Sequence, residues 1–324
     1  MKELFERAES GKIVSHRDLH IILDALPVPL SWASLPGGQI QFVNRAFKRV
    51  FGYGDDSFAT FDDWIDRTYV DESGRDDARR RWSSLWTPEA AGISEVDPVE
   101  LRVRCADGLV LTVQHRGILL HDIGIGIATF EDVSARKQAE DAVHRIAFED
   151  PLTGVGNRRA LQARWLDATC SEEGIEGQQI AILLIDLDDF KPVNDSMGHE
   201  AGDAVLEQVA VRLRECVRGS DLVFRIGGDE FVILLPDFHA HHEVEALCRR
   251  IGQSFDQPFT GNDKPAYIGA SIGASLWPED GKDLRKLLRH ADEALYRLKK
   301  HGKGGWQWFS TPAQHENEAQ QHLN

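Results

Sequence analysis

The chain has 324 residues, 42% hydrophobic and 28% charged, which excludes a disulfide-stapled mini-protein, a fibre or a disordered polymer and predicts two domains at roughly 100–200 residues each. Its formal charge of −16, from 37 Lys and Arg against 53 Asp and Glu, creates a field that repels polyanions, so nucleic acid and an anionic membrane surface are excluded as main partners. Cys105, Cys170, Cys216 and Cys248 are far apart with no CxxC pair, the pattern of reduced core thiols, and no apolar run approaches the roughly 18 residues that span a bilayer; a cytoplasmic protein is expected.

In chain order, residues 1–20 read as a helical extension, and the helical spacing of Leu19–Ala25 is stopped by Pro27-Val-Pro29. Residues 21–134 read as an α+β domain. Leu30–Leu35 and Ile40–Val43 flank the turn Pro36-Gly37-Gly38, and Asn44 caps a short helix. A charged helical stretch, Glu72–Trp86, precedes three more strands, Val99–Arg104, Leu109–Arg116 and Ile123–Phe130. Residues 135–149 form a helical linker; the run Val133–Phe148 has no breakers, and in it Val133, Ala139, Ala142, Val143 and Ile146 make a narrow apolar stripe that suits pairing with a second copy or packing on its own domain.

Residues 150–310 alternate helices and strands as an α/β domain does: helix Arg158–Thr169, strand Ile180–Ile185, helix Ala201–Val217, a hairpin around Gly227-Gly228, helix His242–Phe255, strand Ala266–Ala274, helix Lys282–Lys300 and strand Trp306–Phe309. Residues 311–324 are a polar tail. Asp186 closes an apolar strand, where a carboxylate is costly unless paired or metal-bound. Asp229 and Glu230 follow Gly227-Gly228, whose missing Cβ atoms let a bulky group approach the backbone. Three hard oxygen ligands gathered at strand ends would suit Mg²⁺; taken alone, the same residues make an ordinary hairpin with exposed acids.

The wider context bears on that choice. Arg225-Ile-Gly-Gly-Asp-Glu-Phe231 resembles the signature of the GGDEF family, the diguanylate cyclases. Ordered matches run from Asp150-Pro-Leu-Thr-Gly through Asp186-Leu-Asp-Asp-Phe-Lys-Pro-Val-Asn-Asp195, Gly198-His-Glu-Ala-Gly-Asp203 and Ser271-Ile-Gly273 to Ala291-Asp-Glu-Ala-Leu-Tyr-Arg-Leu-Lys299. The resemblance implies a fold like the nucleotidyl cyclase and polymerase palm domains, and condensation of two GTP to cyclic di-GMP and two pyrophosphates by a homodimer. It also implies two Mg²⁺ or Mn²⁺ per site, held by Asp186, Asp229, Glu230 and the Leu187 carbonyl, with Asp229 and Glu230 catalytic and Glu230 a ligand or proton acceptor. Asn194 and Asp203 match guanine-binding positions. Phe190 and Lys191 match phosphate-binding backbone at a helix start, with Gly227 and Gly228 in the substrate turn and Lys299 and Lys303 one turn apart on the last helix as phosphate partners. Arg218-Gly-Ser-Asp221 sits where the family carries an inhibitory product site; Arg249 is expected to assist, the alternative being an Arg218–Asp221 surface ion pair. Gly156, Met197 and Lys303-Gly304 depart from the family pattern without removing an acid.

Phe42-Val-Asn-Arg-Ala-Phe-Lys-Arg-Val-Phe-Gly-Tyr53, the Ala106-Asp-Gly108 turn and Phe130-Glu-Asp-Val-Ser-Ala-Arg-Lys137 resemble a PAS domain, which implies a sensory or dimerising role and leaves its ligand unnamed. His115 is expected to be a satisfied core histidine rather than an axial ligand, and His239, His241 and His242 a solvated group. The alternative to a cyclase is a silent cyclic di-GMP receptor acting through Arg218 and Asp221. A cyclase making a cyclic mononucleotide is disfavoured by Asn194 and Asp203.

Overall fold

The computed structural model describes residues 16–85, 91–169, 179–236, 238, 240–262 and 264–310. The chain divides into two compact units, Met1–Asp141 and Ala142–Asn324.

In the first unit, strands β1 (Leu30–Ser34), β2 (Ile40–Val43), β3 (Ile93–Arg104), β4 (Val110–Leu120) and β5 (Ile125–Asp132) form an antiparallel five-stranded sheet in the order β2-β1-β5-β4-β3. The expected strands are present, and β3 and β4 are longer than their apolar alternation suggested. Helices Arg45–Phe51, Phe61–Thr68 and Glu72–Leu85 carry the apolar side chains that, with the sheet, bury Phe47, Phe51, Trp64, Val103, Val113 and Phe130. Asn44 is a cap with more work than its position implies. Its Oδ1 accepts from Phe47 N and Leu30 N, and its Nδ2 donates to the Leu23 and Val28 carbonyls, so one buried amide ties β1 to two helices.

Helix Ser134–Phe148 follows β5 and buries none of its residues. Val143 and Ile146 of the expected stripe are 66% and 81% exposed. At its start the Ser134 hydroxyl accepts from Thr112 N; at its end Asn157 Nδ2 donates to the Ala147 carbonyl.

In the second unit, β6 (Ile180–Asp188), β7 (Leu222–Gly227), β8 (Glu230–Leu235), β11 (Gly269–Trp277) and β12 (Gly305–Trp308) form a sheet ordered β12-β11-β6-β8-β7, with only β11 and β12 parallel. The central strand β6 shows both faces to apolar layers. Ala181, Leu183, Ile185 and Leu187 pack toward helices His199–Cys216 and His241–Ser254, while Ile180, Ile182 and Leu184 pack toward helices Arg158–Thr169 and Leu284–His301. Three expectations change. Strand β6 runs on to Asp188, because Asp186 and Asp188 are still paired with neighbouring strands. The expected strand Ala266–Ala274 is split into β11 and a small ribbon of β9 (Phe259–Gly261) and β10 (Lys264–Ala266). The last helix ends at His301 with Gly302 following, so Lys303 lies beyond it and not one turn along it from Lys299.

Of the described cysteines, Cys105, Cys216 and Cys248 are buried free thiols as expected; Cys170 and the tail 311–324 lie outside the described residues. His241 is not solvated: it is half-buried with its ring against Trp308, at 5.4 Å between centroids; His239 lies outside the described residues.

Gly273 of β11 lies under helix Leu284–His301, where a Cβ would overlap the backbone of Ala291 and Leu295. Gly273→Ala should therefore lower the stability of this unit by about 1–3 kcal/mol, read as an earlier urea-unfolding midpoint; an unchanged midpoint would show that the helix does not press on the sheet there.

Candidate active site

The acids meet because of strand register. Asp186 of β6 is directly opposite Glu230 of β8, and Leu187 N donates to the Asp229 carbonyl across the same edge. Asp229 lies in the two-residue turn between β7 and β8, with Gly228 at φ +33°. Burial pushes the Glu230 carboxyl above its usual range, and the neighbouring charges of Asp186, Asp229 and Asp292 add to the effect against a smaller opposing one from Arg158. Lys299 Nζ pairs with Asp186, and Lys303 Nζ pairs with Asp189 at 2.7 Å. Two ammonium groups thus sit on the acidic edge, each at a carboxylate that a cation could take over.

Asp189 is the N-cap of helix Phe190–Met197, in a left-handed conformation (φ 61°) and making no side-chain cap bond. The first N–H groups of that helix therefore have no capping side chain and point where an anion is favoured. Phe190, Lys191, Asn194 and Asp203 share an open hollow of about 310 Å³ with Gly228 and Asp229. Asn194 reaches it because Gly202 has no side chain: a Cβ there would overlap Asn194 Oδ1. The expected substrate and metal positions are thus brought to one edge of the sheet, with Lys303 arriving from a loop and not from the helix.

Several residues that shape this edge carry no signal of their own in the sequence reading. Asp188 is buried; its carboxylate accepts from the Ser271 hydroxyl (3.0 and 2.8 Å) and from Gly304 N (3.2 Å), anchoring the loop that carries Lys303. His199 lines the hollow beside Asp203. Arg225 spreads its guanidinium over two partners, donating to the Gly228 carbonyl from Nε (2.9 Å) and Nη2 (2.7 Å) and to Asp150 Oδ1 from Nη1 (2.9 Å). The Thr153 N–H and hydroxyl also donate to Asp150. Against the opposing effect of burial, these bonds hold its carboxyl below the usual range. Ser271, Asp188, Arg225 and Asp150 all fall inside the quoted motifs, which was the available clue.

Arg218 and Asp221 line a separate hollow of about 140 Å³ with Phe238, His242, Glu243 and Arg250. The side chains of Arg218 and Asp221 do not pair with each other: Asp221 accepts from Arg218 N at 3.0 Å, and the guanidinium reaches Glu243 at 3.1 Å. Arg249 is not among the residues lining this hollow; its guanidinium lies over Trp306, 5.7 Å from the ring centroid. Arg250 is the arginine at the hollow, with its Nε donating to the Cys216 carbonyl at 2.7 Å.

Comparison with known proteins gives the family. The family described as diguanylate cyclase, GGDEF domain, matches residues 147–305, and the PAS domain family matches residues 17–85. The chain carries a PAS domain followed by a domain of the GGDEF family. An uncharacterised signalling protein of Caulobacter vibrioides is 35% identical over 213 residues, covering 65% of this chain and 25% of that protein. The diguanylate cyclase TpbB of Pseudomonas aeruginosa is 37% identical over 177 residues, covering 54% of this chain and 40% of that one, and the cyclic di-GMP phosphodiesterase NbdA of the same species is 36% identical over 174 residues, covering 53% and 22%. The matches thus span well under half the length of these relatives. Among solved structures, the GGDEF domain of TpbB aligns at 35% identity with a TM-score of 0.48, covering 50% of this chain and 94% of that one.

The acid edge fits the divalent cation such a domain implies. Among the described residues no three His, Cys, Asp or Glu side chains close on one point; Asp186 and Glu230 are the facing pair on this edge, and Mg²⁺ is an ion that takes one or two carboxylates and completes its shell with water and substrate phosphate.

The Arg225 clamp makes a measurable claim. In a double-mutant cycle of Asp150→Asn and Arg225→Lys, the two changes should couple by about 1–2 kcal/mol in unfolding free energy, as charge-assisted bonds between partly buried groups do; additive effects would show that the two side chains act separately.

Proposed function

We propose that the chain is a diguanylate cyclase, condensing two GTP to cyclic di-GMP and two pyrophosphates as a homodimer under the control of its PAS domain. The observation that supports it is the register of Asp186 against Glu230, with Asp229 in the adjoining turn. The names of relatives do not decide the matter, since they include cyclases and phosphodiesterases. The intact acids favour a working cyclase over a silent receptor.

In this reading the guanine base enters the hollow of Asn194 and Asp203. A carboxylate there accepts from the N1–H and N2–H₂ edge of guanine and meets no matching donors on the same edge of adenine, so GTP is preferred to ATP. The uncapped N–H groups at Phe190 and Lys191 receive the β- and γ-phosphates, and Lys299 and Lys303 move from Asp186 and Asp189 to phosphate oxygens. Asp186, Asp229, Glu230 and the Leu187 carbonyl would hold Mg²⁺ or Mn²⁺, two per site, which would supply charge to offset the triphosphate and lower the pKa of the attacking hydroxyl. Glu230, its carboxyl raised by burial, accepts the proton of the 3′-hydroxyl. The 3′-oxygen of one GTP bonds to the α-phosphorus of the other while the bond to the leaving pyrophosphate breaks, and the same exchange in the reverse sense closes the ring. One GTP per domain makes a second copy necessary. Product bound by Arg218 and Asp221 would act as feedback, with arginine donating to guanine O6 and N7.

Incubation of the full chain with GTP and Mg²⁺ should yield cyclic di-GMP and pyrophosphate in a 1:2 ratio by chromatography, and Asp229→Ala should reduce the rate by about 10³-fold or more, the loss of several kcal/mol of charge stabilisation. Binding of cyclic di-GMP with no turnover by the intact chain would instead establish the receptor. Arg218→Ala should raise the product concentration for half-inhibition by about tenfold, the loss of one bidentate contact; an unchanged inhibition curve would remove the feedback site.

A further inference from the structure

Lys299 and Lys303 sit in a stretch of chain that the last strand closes into a loop. Lys299 is on helix Leu284–His301, and Lys303 lies in Gly302-Lys-Gly-Gly305, where all three glycines have positive φ (132°, 83° and 90°). Such a segment has little stiffness of its own, because glycine gives up more conformational freedom on ordering than any other residue. The direction in which Lys303 leaves the backbone is therefore set by what holds the two ends. One end is the helix, and the other is β12, a strand of four residues at the edge of the sheet with β11 as its neighbour.

The residues just after β12 return it to the helix it came from. The Phe309 ring lies flat on the His290 ring, with 3.8 Å between centroids and 2° between planes. The Arg297 guanidinium lies 5.4 Å from the centroid of the same phenyl ring, and its Nη2 donates to the Phe309 carbonyl at 2.8 Å. Phe309 N donates to the Ala274 carbonyl of β11 at 2.8 Å. The Ser310 hydroxyl donates to Oδ1 of Asp280 at 2.6 Å; this buried carboxylate also accepts from Leu276 N through Oδ2, and His290 Nδ1 donates to the Asp280 carbonyl at 2.7 Å. Trp308 packs in the core with helix His241–Ser254, so Phe309, next in the chain and turned the other way, ties the strand to the helix that carries Lys299. Arg297 and Phe309 are 12 positions apart, and the bond between them closes a loop that contains both lysines. Closing a loop removes most of the freedom of the chain inside it.

We propose, on the reading of the acid edge as a GTP site, that Phe309 is a positioning residue: stacked on His290 and held by Arg297, it fixes β12 and so aims Lys303 at the triphosphate. Calorimetry of the full chain with Mg²⁺ and a non-hydrolysable GTP analogue tests it. Lys303→Ala should weaken binding about tenfold, the loss of one charge-assisted hydrogen bond. Phe309→Ala should weaken it about fivefold and cost nothing further in the Lys303→Ala background, whereas a general loosening of the fold would cost the same in both. Phe309→Tyr keeps the ring and should bind like the unaltered chain. His290→Gln keeps a donor for the Asp280 carbonyl and removes the stacking face from the helix; it should reproduce the loss from the other side of the contact, with circular dichroism confirming that each variant folds. The proposal is overturned if folded Phe309→Ala and His290→Gln bind like the unaltered chain, if the loss is as large without Lys303, or if Phe309→Tyr binds as weakly as Phe309→Ala. Those results would leave the GTP reading standing, whereas an unaltered chain that binds no analogue would overturn both.

Discussion

Everything in the second domain is arranged around one electrostatic constraint: three carboxylates, Asp186, Asp229 and Glu230, gathered at the end of two paired central strands. Burial holds the Glu230 carboxyl above its ordinary range, and the neighbouring charges of Asp186 and Asp229 add to the effect. Such a cluster persists because the surrounding sheet over-determines it. Strand β6 is buried on both faces, its register against β8 and β11 is continuous, and Lys299 offsets part of the charge. In the proposed reading a cation complements that arrangement, and with it the local field that a triphosphate would meet is reversed although the whole chain is strongly acidic.

The supports of this edge extend toward the domain's N-terminal end. Asn157 Nδ2 donates to the Ala147 carbonyl at the end of helix Ser134–Phe148. A few residues away Asp150 takes Arg225, whose other donors hold the Gly228 carbonyl of the turn that presents Asp229. On the opposite side Asp188 and Ser271 hold Gly304 and hence the Lys303 loop. Side chains that touch no reacting atom in the proposed reaction thus fix the parts that do. The exposed Val143 and Ile146 give the same helix an unburied apolar face, a surface on which a second copy could pair.

Much of this was legible in the sequence because its strongest signals are local. An apolar run ending in Asp186, paired glycines before Asp229 and the Asn44 cap each state a backbone requirement in two or three residues, and the ordered motifs place the acids in one domain. What stayed hidden depends on register and on long-range pairing. Nothing local says that β6 continues through Asp186 to Asp188, since two acids in a strand look like its end. Lys303 reads as helical until Gly302 is seen to follow the last turn, and Arg249 and Arg250 are adjacent in sequence but only Arg250 turns toward the hollow of Arg218. The pairing of Arg225 with Asp150, 75 residues apart, has no signature beyond membership of two motifs. His115 was legible as a core residue from its strand face, and it is buried.

Whether the acid edge is a cation-dependent guanine nucleotide site, as proposed, is decided by calorimetry with a non-hydrolysable GTP analogue, with Mg²⁺ and with EDTA. Removing the metal should weaken binding by about tenfold or more, a difference of about 1.4 kcal/mol, Asp186→Asn should remove most of this dependence, and the matching ATP analogue should bind more weakly than the GTP analogue. Equal affinity with and without Mg²⁺, or equal affinity for the two nucleotides, would contradict the proposal.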